Sequence, residues 1–325
     1  MEDSLPPAIA ASAVHKSYPA KPALDGFDLE VPRGTVHGLL GPNGAGKTTA
    51  VKIMATLLAP DAGSVRVAGH DTVTEGAAVR ARIGLVGQYA AVDEELTGRQ
   101  NLVLFGRLSR LGRRDAVRRA AELLDRFGLA EAADRRAGTY SGGMRRRLDL
   151  AAALVVAPEV LFVDEPTTGL DPAGRREVWD TVRALRDGGT TVLLTTQYLE
   201  EADALADRVS MLAHGRIVAE GTPADLKADL GGDRVHLTPR DPADAARLAA
   251  LARPHAAGPV ETADGVVRVP LTDRATDLPR LAAALTDLPL ADLSLHAPTL
   301  DDVFLHLTGD GAEALAKTNT VKEKI

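Results

Sequence analysis

Eight consecutive residues, Gly41-Pro42-Asn43-Gly44-Ala45-Gly46-Lys47-Thr48, have the spacing of a loop that wraps phosphate oxygens. The glycines let backbone N–H groups come close, and the helix that begins near Lys47 aims its positive end at the anion. Lys47 can reach the β- and γ-phosphates of a nucleoside triphosphate, and the Thr48 hydroxyl can take Mg²⁺. Thr49 either assists at the phosphates or is an ordinary helix residue. Much further along, Asp164 ends the apolar run Val160-Leu161-Phe162-Val163. A carboxylate there is costly unless it meets a cation, and Mg²⁺ held through water supplies one. Glu165, beside it, is placed to orient or deprotonate a water attacking the γ-phosphate, the alternative being a salt bridge to an arginine. Gln88, after Ile83-Gly84-Leu85-Val86, offers an uncharged amide to both the metal and the water. Ser141-Gly142-Gly143 open another helix, so their N–H groups form a second anion site.

These groups need a scaffold that delivers them to one end of a sheet. Thr35 to Leu40 is a short apolar run ending at the glycine loop, and Lys47 to Leu58 has helical apolar spacing until Pro60-Asp61-Ala62-Gly63 turns the chain. Val65 to Val67, Ile83 to Val86, Val160 to Val163, Thr191 to Leu194 and Val209 to Leu212 read as strands. Glu94 to Pro158 is almost wholly helical, and Pro172 to Asp187 is a helix with Asp171 at its N-cap and proline in its first turn. Strands alternating with helices predict a largely parallel sheet buried on both faces. Beyond a Gly231-Gly232 hinge the composition changes. Short strands (Val235 to Leu237, Val266 to Val269, Leu293 to Leu295) alternate with helices (Ala243 to Ala252, Asp277 to Thr286), and a helix from Thr299 to Leu307 closes a small α+β domain. Residues 310–325 are polar and read as a disordered tail.

The 325 residues suffice for one large and one small domain. With 38 basic and 45 acidic residues the net charge is −7, which argues against non-specific nucleic-acid binding. Arg107, Arg110, Arg113, Arg114, Arg118 and Arg119 favour nucleic acid, but their spacing fits one solvated helix face as well. Arg145, Arg146 and Arg147, directly after the Ser-Gly-Gly turn, could help at the phosphates but read better as a solvated basic face. The absence of cysteine excludes disulfides and thiolate metal sites, and the eight histidines show no pair at ligand spacing. Met1 to Pro7 is acidic and does not read as a signal peptide. No apolar run approaches the roughly 20 residues of a spanning helix.

The loop, Tyr140-Ser141-Gly142-Gly143-Met144 and Val160 to Glu165 together resemble the ATP-binding cassette (ABC) ATPases. The resemblance implies an α/β P-loop cassette over 8–230, with an antiparallel β subdomain and a helical insertion at about 89–158, followed by a small C-terminal α+β domain over 231–309. It also implies ATP and Mg²⁺ as ligands, with Thr48, Gln88 and Asp164 on the metal. Tyr18 matches the aromatic that stacks on adenine, an ordinary half-buried tyrosine being the other reading. Ser141, Gly142 and Gly143 match the signature that closes over the ATP of a second cassette, and Asp171 the loop that crosses between the two. A homodimer follows. Gln197 stands where most of the family has a histidine on the γ-phosphate, and Met144 where glutamine is usual. Leu300-Asp301-Asp302-Val303-Phe304-Leu305, with Gln197 and the run from Tyr140 to Asp149, narrows the resemblance to the ATP-binding subunits of daunorubicin-resistance-type drug exporters. That type implies an ATPase peripheral to the cytoplasmic face of the membrane, bound to a separate permease, with no nucleic-acid partner. Two alternatives are an exporter of a polysaccharide, lipid or oligosaccharide, and a soluble ABC factor acting on ribosomes or DNA.

Glutamine at position 197 gives a prediction. Gln197→Ala should slow turnover, since a hydrogen bond to a charged acceptor is worth roughly 1.5 to 3 kcal/mol. Gln197→His should retain much of the rate and acquire a pH dependence between about pH 5 and 8 that the parent lacks. Steady-state ATP hydrolysis across that range checks both; a full-rate alanine variant or coincident pH profiles would remove Gln197 from the γ-phosphate.

Overall fold

The computed structural model describes residues 6–19, 21–88, 91–228, 230, 232–286 and 288–308. The chain divides into two compact units, Met1–Pro223 and Ala224–Ile325. This boundary falls ahead of the expected hinge, of which Gly231 lies outside the described residues, as does the expected tail.

The first unit opens with β1 (Ile9–Tyr18), β2 (Lys21–Val31), β3 (Val36–Leu40), α1 (Lys47–Met54), β4 (Ala62–Val67), β5 (His70–Asp71), α2 (Gly76–Arg80) and β6 (Ile83–Val86). Three helices follow, α3 (Gly98–Leu108), α4 (Arg113–Arg126) and α5 (Gly142–Ala153), then β7 (Val160–Asp164), α6 (Pro172–Asp187), β8 (Thr191–Thr196), α7 (Leu199–Leu205), β9 (Arg208–Ala213) and β10 (Arg216–Gly221). One sheet is antiparallel with the order β2-β1-β4-β5; the other has the order β10-β9-β3-β8-β7-β6. In the second, β3 and β6 to β9 run parallel and β10 closes an edge antiparallel to β9.

Neighbouring residues of the central strands feed two different cores. Val160 and Phe162 pack with Ile53 and Met54 of α1 and with Phe27 and Val65 of the antiparallel sheet. Leu161 and Val163 pack on the opposite face with Leu123 of α4, Leu148 of α5 and Val182 of α6. A strand covered on both faces shows no polar alternation, which is why β7 reads as a continuous apolar run. Each such side chain, fully withdrawn from water, contributes about 1.5–3 kcal/mol.

Two elements depart from their sequence patterns for local reasons. α1 stops at Met54 rather than running to Leu58, because Thr56 turns left-handed at φ 63°. Leu57 N then donates to Lys52 O at 2.8 Å and Thr56 N to Ile53 O at 3.0 Å, the paired bonds of a Schellman ending built on threonine instead of glycine. In β1 the alternation is broken by register shifts after Ala11 and Val14, with Ala13 at φ 46° and its N–H on the Asp28 carboxylate at 2.8 Å.

The second unit contains α8 from Ala224 onward (Pro223–Ala228), β11 (Arg234–Pro239), α9 (Ala245–Ala252), β12 (Glu261–Ala263), β13 (Val266–Pro270), α10 (Arg274–Ala284), β14 (Leu290–His296) and α11 (Leu300–Thr308). Its antiparallel sheet has the order β12-β13-β11-β14. Val235, Leu237, Val267 and Val269 point to one side and pack with Leu248 of α9 and Leu281 of α10. α10 begins earlier than Asp277 because Asp273 caps it, accepting from Ala275 N at 3.0 Å. Leu300 and Val303 of α11 are buried.

His37 on β3 is fully buried, with Nε2 2.8 Å from the Ser210 hydroxyl of β9. The imidazolium would carry a second N–H at Nδ1, for which the described residues offer no acceptor. Burial, helped by the charge of Arg208, lowers its pKa to about 4. The unfolded chain therefore takes up a proton near pH 6.5 that the folded chain refuses until about pH 4. This contribution to stability is present above pH 6.5, falls as the pH drops through that window, and amounts to roughly 3 kcal/mol at most. Urea unfolding of parent and His37→Gln at neutral pH and near pH 4.5 should show the gap between them narrowing on acidification; a pH-independent gap would contradict the assignment.

Candidate functional site

β3 ends on the glycine loop and α1 begins at Lys47, so the loop sits at the carboxyl end of the parallel sheet. Gly41 and Gly46 are required by close approach as well as by conformation. Both have positive φ, and a Cβ would strike the Leu212 carbonyl at Gly41 and the Ala23 carbonyl at Gly46. Ala45 is buried behind the loop, with its N–H on Pro42 O at 3.2 Å. α1 has no side-chain cap and no acidic residue in its first turn. Its first N–H groups therefore remain available to an anion.

Lys47 is 5% exposed and donates to Gly41 O at 2.6 Å and Pro42 O at 3.2 Å. Burial lowers its pKa, against the opposing pull of the Glu165 and Asp164 carboxylates. Asp164, at the buried end of β7, accepts from the Thr195 hydroxyl of β8 and from Thr48 Oγ1 at 3.4 Å. Glu165 turns left-handed at φ 47° immediately after the strand, its N–H on Thr195 O at 3.0 Å. Its Oε2 accepts from Thr168 Oγ1 at 3.4 Å, and no arginine pairs with it among the described residues.

Tyr18, Pro42, Asn43, Gly44, Gly46, Lys47, Thr48, Thr49, Gln88 and Glu165 line one pocket of about 330 Å³. Lys21, Pro22 and Ala23, which carry no motif, line it too. Uncapped helix donors and a buried ammonium make this wall fit phosphate. The Thr48 hydroxyl beside Asp164, with the Gln88 amide at the rim, is an all-oxygen set of the kind Mg²⁺ takes when phosphates supply its remaining ligands. Among the described residues no cluster of three His, Cys, Asp or Glu could hold a metal unaided.

Gly41, Ala45 and Asp164 back this pocket without lining it, and Ser141, Gly142, Gly143 and Asp171 belong to two other helix starts. Ser141 caps α5, accepting from Met144 N at 3.2 Å, and Asp171 caps α6, accepting from Gly174 N at 2.8 Å. The starts of these two helices lie close: a Cβ on Gly142 would come 3.3 Å from the Leu170 side chain, and one on Gly143 would make ordinary contact at 3.5 Å from Gly174 Cα. None of the four lines the pocket. Gln197 is exposed just past β8, the strand between β3 and β7, and does not line the pocket either.

The arginine run is not a solvated face. Arg146 is 7% exposed and donates to Gly87 O at 2.6 Å, Pro166 O at 2.9 Å and Asp164 O at 3.2 Å, and it pairs with Asp149 at 3.3 Å. Asp149 in turn accepts from Ala91 N at 2.9 Å. Carbonyls beyond the ends of β6 and β7 need donors there, and one guanidinium serves three of them. Arg145 pairs with Glu94 at 2.6 Å and Arg147 with Glu177 at 3.3 Å. On α4, Arg118 and Arg119 are likewise paired with Asp115 and Glu122.

A glycine loop facing a buried strand-end carboxylate, with a Ser-Gly-Gly helix start held apart from it, defines a cassette ATPase. Residues 24–168 match the family model described as ABC transporter, and 221–308 match that of the ATP-binding protein DrrA1-3-like, C-terminal domain. The daunorubicin resistance ATP-binding protein DrrA3 of Streptomyces coeruleorubidus is 58% identical over 305 residues, covering 93% of this chain and 96% of that protein. The daunorubicin/doxorubicin resistance ATP-binding protein DrrA of Streptomyces peucetius is 49% identical over 320 residues, covering 98% and 97%. Among solved structures, cbiO1 of Clostridium perfringens, part of the ABC transporter complex cbiONQ, aligns with a TM-score of 0.64 at 26% identity, covering 70% of this chain and 92% of that one. The chain belongs to the ABC transporter ATP-binding proteins of the daunorubicin-resistance family, and it is an ATPase that binds nucleotide.

Arg146 supplies the prediction here. Arg146→Met strands the Asp149 charge and three carbonyls, and should destabilise the chain by about 3–5 kcal/mol. Adding Asp149→Leu should recover part of that loss, because the buried charge goes with it. Urea denaturation of the two single variants and the double closes the cycle; a single-variant loss below about 1 kcal/mol would mean the pair is effectively solvated.

Proposed function

We propose that the chain is the ATP-hydrolysing subunit of an exporter that removes an antibiotic or related amphiphile through a separate permease. The observation that carries this reading is that its likeness to daunorubicin-resistance proteins runs through the C-terminal domain and not the cassette alone. In this reading the path for the drug belongs to the permease and the chain lies at the membrane's cytoplasmic face, as the likeness to drug-resistance ATP-binding proteins suggests; among the described residues no helix is long and apolar enough to cross a membrane. A nucleic-acid partner is not part of this reading: Arg118 and Arg119 of α4 are paired with Asp115 and Glu122, and the net charge is −7.

In this mechanism the loop N–H groups and Lys47 hold the β- and γ-phosphates while Tyr18 stacks on the adenine. Thr48, Gln88 and Asp164 would hold Mg²⁺, which when bound would neutralise phosphate charge. Glu165, in the pocket, orients the attacking water and takes its proton. Gln197 donates one N–H to the γ-phosphate. Ser141, Gly142 and Gly143 lie off the pocket of their own chain, which supports a homodimer in which they close over the partner's nucleotide, with Asp171 at the crossing between the two. The proposed boundaries remain a cassette over 8–230 and a C-terminal domain over 231–309.

Glu165→Gln tests the reading. The variant should bind ATP, fail to turn it over and accumulate as an ATP-bound dimer on gel filtration, whereas Lys47→Ala should lose nucleotide binding. In cells also carrying the permease that co-purifies with the chain, the parent should lower daunorubicin accumulation and Glu165→Gln should not. Parental hydrolysis by Glu165→Gln would remove the general base, and unchanged drug accumulation with the parent would remove the cargo.

A further inference from the structure

One face of the C-terminal sheet carries chemistry that the ATPase reading leaves unused. β11 pairs with β13 and β14 so that His236 lies opposite Arg268 and Ser294, and Arg234 opposite His296. These residues alternate with the buried Val235, Leu237, Val267 and Val269, so they occupy the side away from that core. The His236 and His296 rings stack, with centroids 3.9 Å apart and planes 23° apart. Arg234 and Arg268 both border two pockets of about 400 and 350 Å³, and the smaller is also lined by His236, His296, Asp302 and His306.

Among the described residues neither arginine has a carboxylate at ion-pair distance. Arg234 donates to Leu230 O at 3.4 Å, and Arg268 has no hydrogen-bond acceptor among them. Two carboxylates are near. Asp302 on α11 is engaged at the start of its own helix, accepting from Thr299 N at 2.9 Å and Thr299 Oγ1 at 2.7 Å. Although burial raises its pKa, those bonds and the charges of Arg234 and His296 outweigh it and keep Asp302 ionised. Glu261 on β12 sits opposite Arg268 in register and lines the larger pocket without pairing to it. At His236, burial and then the positive charges of His296, Arg268 and Arg234 hold the pKa below its ordinary value, against the contrary pull of Asp302. Two guanidiniums therefore border this face without an ion-paired carboxylate, although Asp302 and Glu261 lie near.

We propose that Arg234 and Arg268, with the His236 and His296 pair, form a binding site for a phosphate group, and that the site binds more tightly as the pH falls. Two guanidiniums and two imidazoles present more donors than the two oxygens of a carboxylate can accept, and the oxygens of a phosphate match them better. An arriving anion raises the affinity of the adjoining imidazoles for protons, so proton and phosphate bind cooperatively. The shared chemistry is a phosphate ester, carried either by a soluble molecule or by a lipid headgroup.

The test uses the full chain with its nucleotide site saturated by ADP, and reads the ring carbon protons of His236 and His296 by NMR, assigned with His236→Gln and His296→Gln. Inorganic phosphate should shift these resonances saturably and raise the protonation midpoint of His236. Arg268→Gln and Arg234→Gln should each weaken the effect roughly tenfold. Sulfate, which stays a dianion throughout, should bind several-fold more tightly near pH 5.5 than near pH 7.5. Sedimentation with phosphatidylglycerol vesicles, and not with phosphatidylcholine vesicles, lost in both arginine variants, would support the site with a lipid source. Phosphate binding without vesicle binding would support it with a soluble source. No saturable shift with phosphate and no vesicle binding would overturn it, as would undiminished binding by folded Arg268→Gln and Arg234→Gln.

Discussion

Charges buried at the carboxyl end of a parallel sheet constrain everything around them. Lys47 and Asp164 are each about 5% exposed, and neither position is tolerable without polar partners. Lys47 turns to the carbonyls of Gly41 and Pro42, and Asp164 takes hydroxyls from Thr48 and from Thr195 on the strand between β3 and β7. The order β3-β8-β7 is thus part of the electrostatics, since β8 delivers the hydroxyl that helps keep the Asp164 carboxylate in place. Water has been replaced by fixed dipoles before any ligand arrives, which is the condition under which a site stabilises developing charge without reorganising.

A second buried charge extends that order to the helical segment. Arg146 belongs to α5, yet its donors reach carbonyls of Gly87 before Gln88, of Asp164 before Glu165, and of Pro166 after it. Directional bonds from one side chain thus tie α5, whose N-cap is Ser141, to the segments that carry Gln88 and Glu165.

What could be read from the chain divides along the range of the interactions involved. The glycine loop, the caps at Ser141 and Asp171, and α6 from Pro172 to Asp187 are written in neighbouring residues, and their bounds in the structure follow those patterns closely. The daunorubicin-resistance family was legible in the same way, through contiguous motifs. Arg146 reads as a surface residue because the carbonyls it serves are 18, 20 and 59 positions away, where no local pattern points. The bounds of β1 are hidden because its bulges break the alternation, and the helical spacing overruns the end of α1 because threonine stands where a glycine would mark the turn. The C-terminal sheet had legible strands, but the meeting of His236, His296, Arg234 and Arg268 depends on register, which a sequence does not display.

The placement of β3 also bears on how the chain is made. It is the strand that carries the phosphate loop, and both of its sheet neighbours, β8 and β9, are encoded far downstream, ending at Ala213. On a ribosome adding roughly 5–20 residues per second, β3 waits on the order of ten seconds or more with both edges unpaired. During that interval the apolar Val36, Leu39 and Leu40 can find other strands, including those of a neighbouring nascent chain. Substitutions in β8 or β9 that leave the finished ATPase sound can therefore act during biosynthesis, appearing as low yield and chaperone dependence while the purified protein behaves normally.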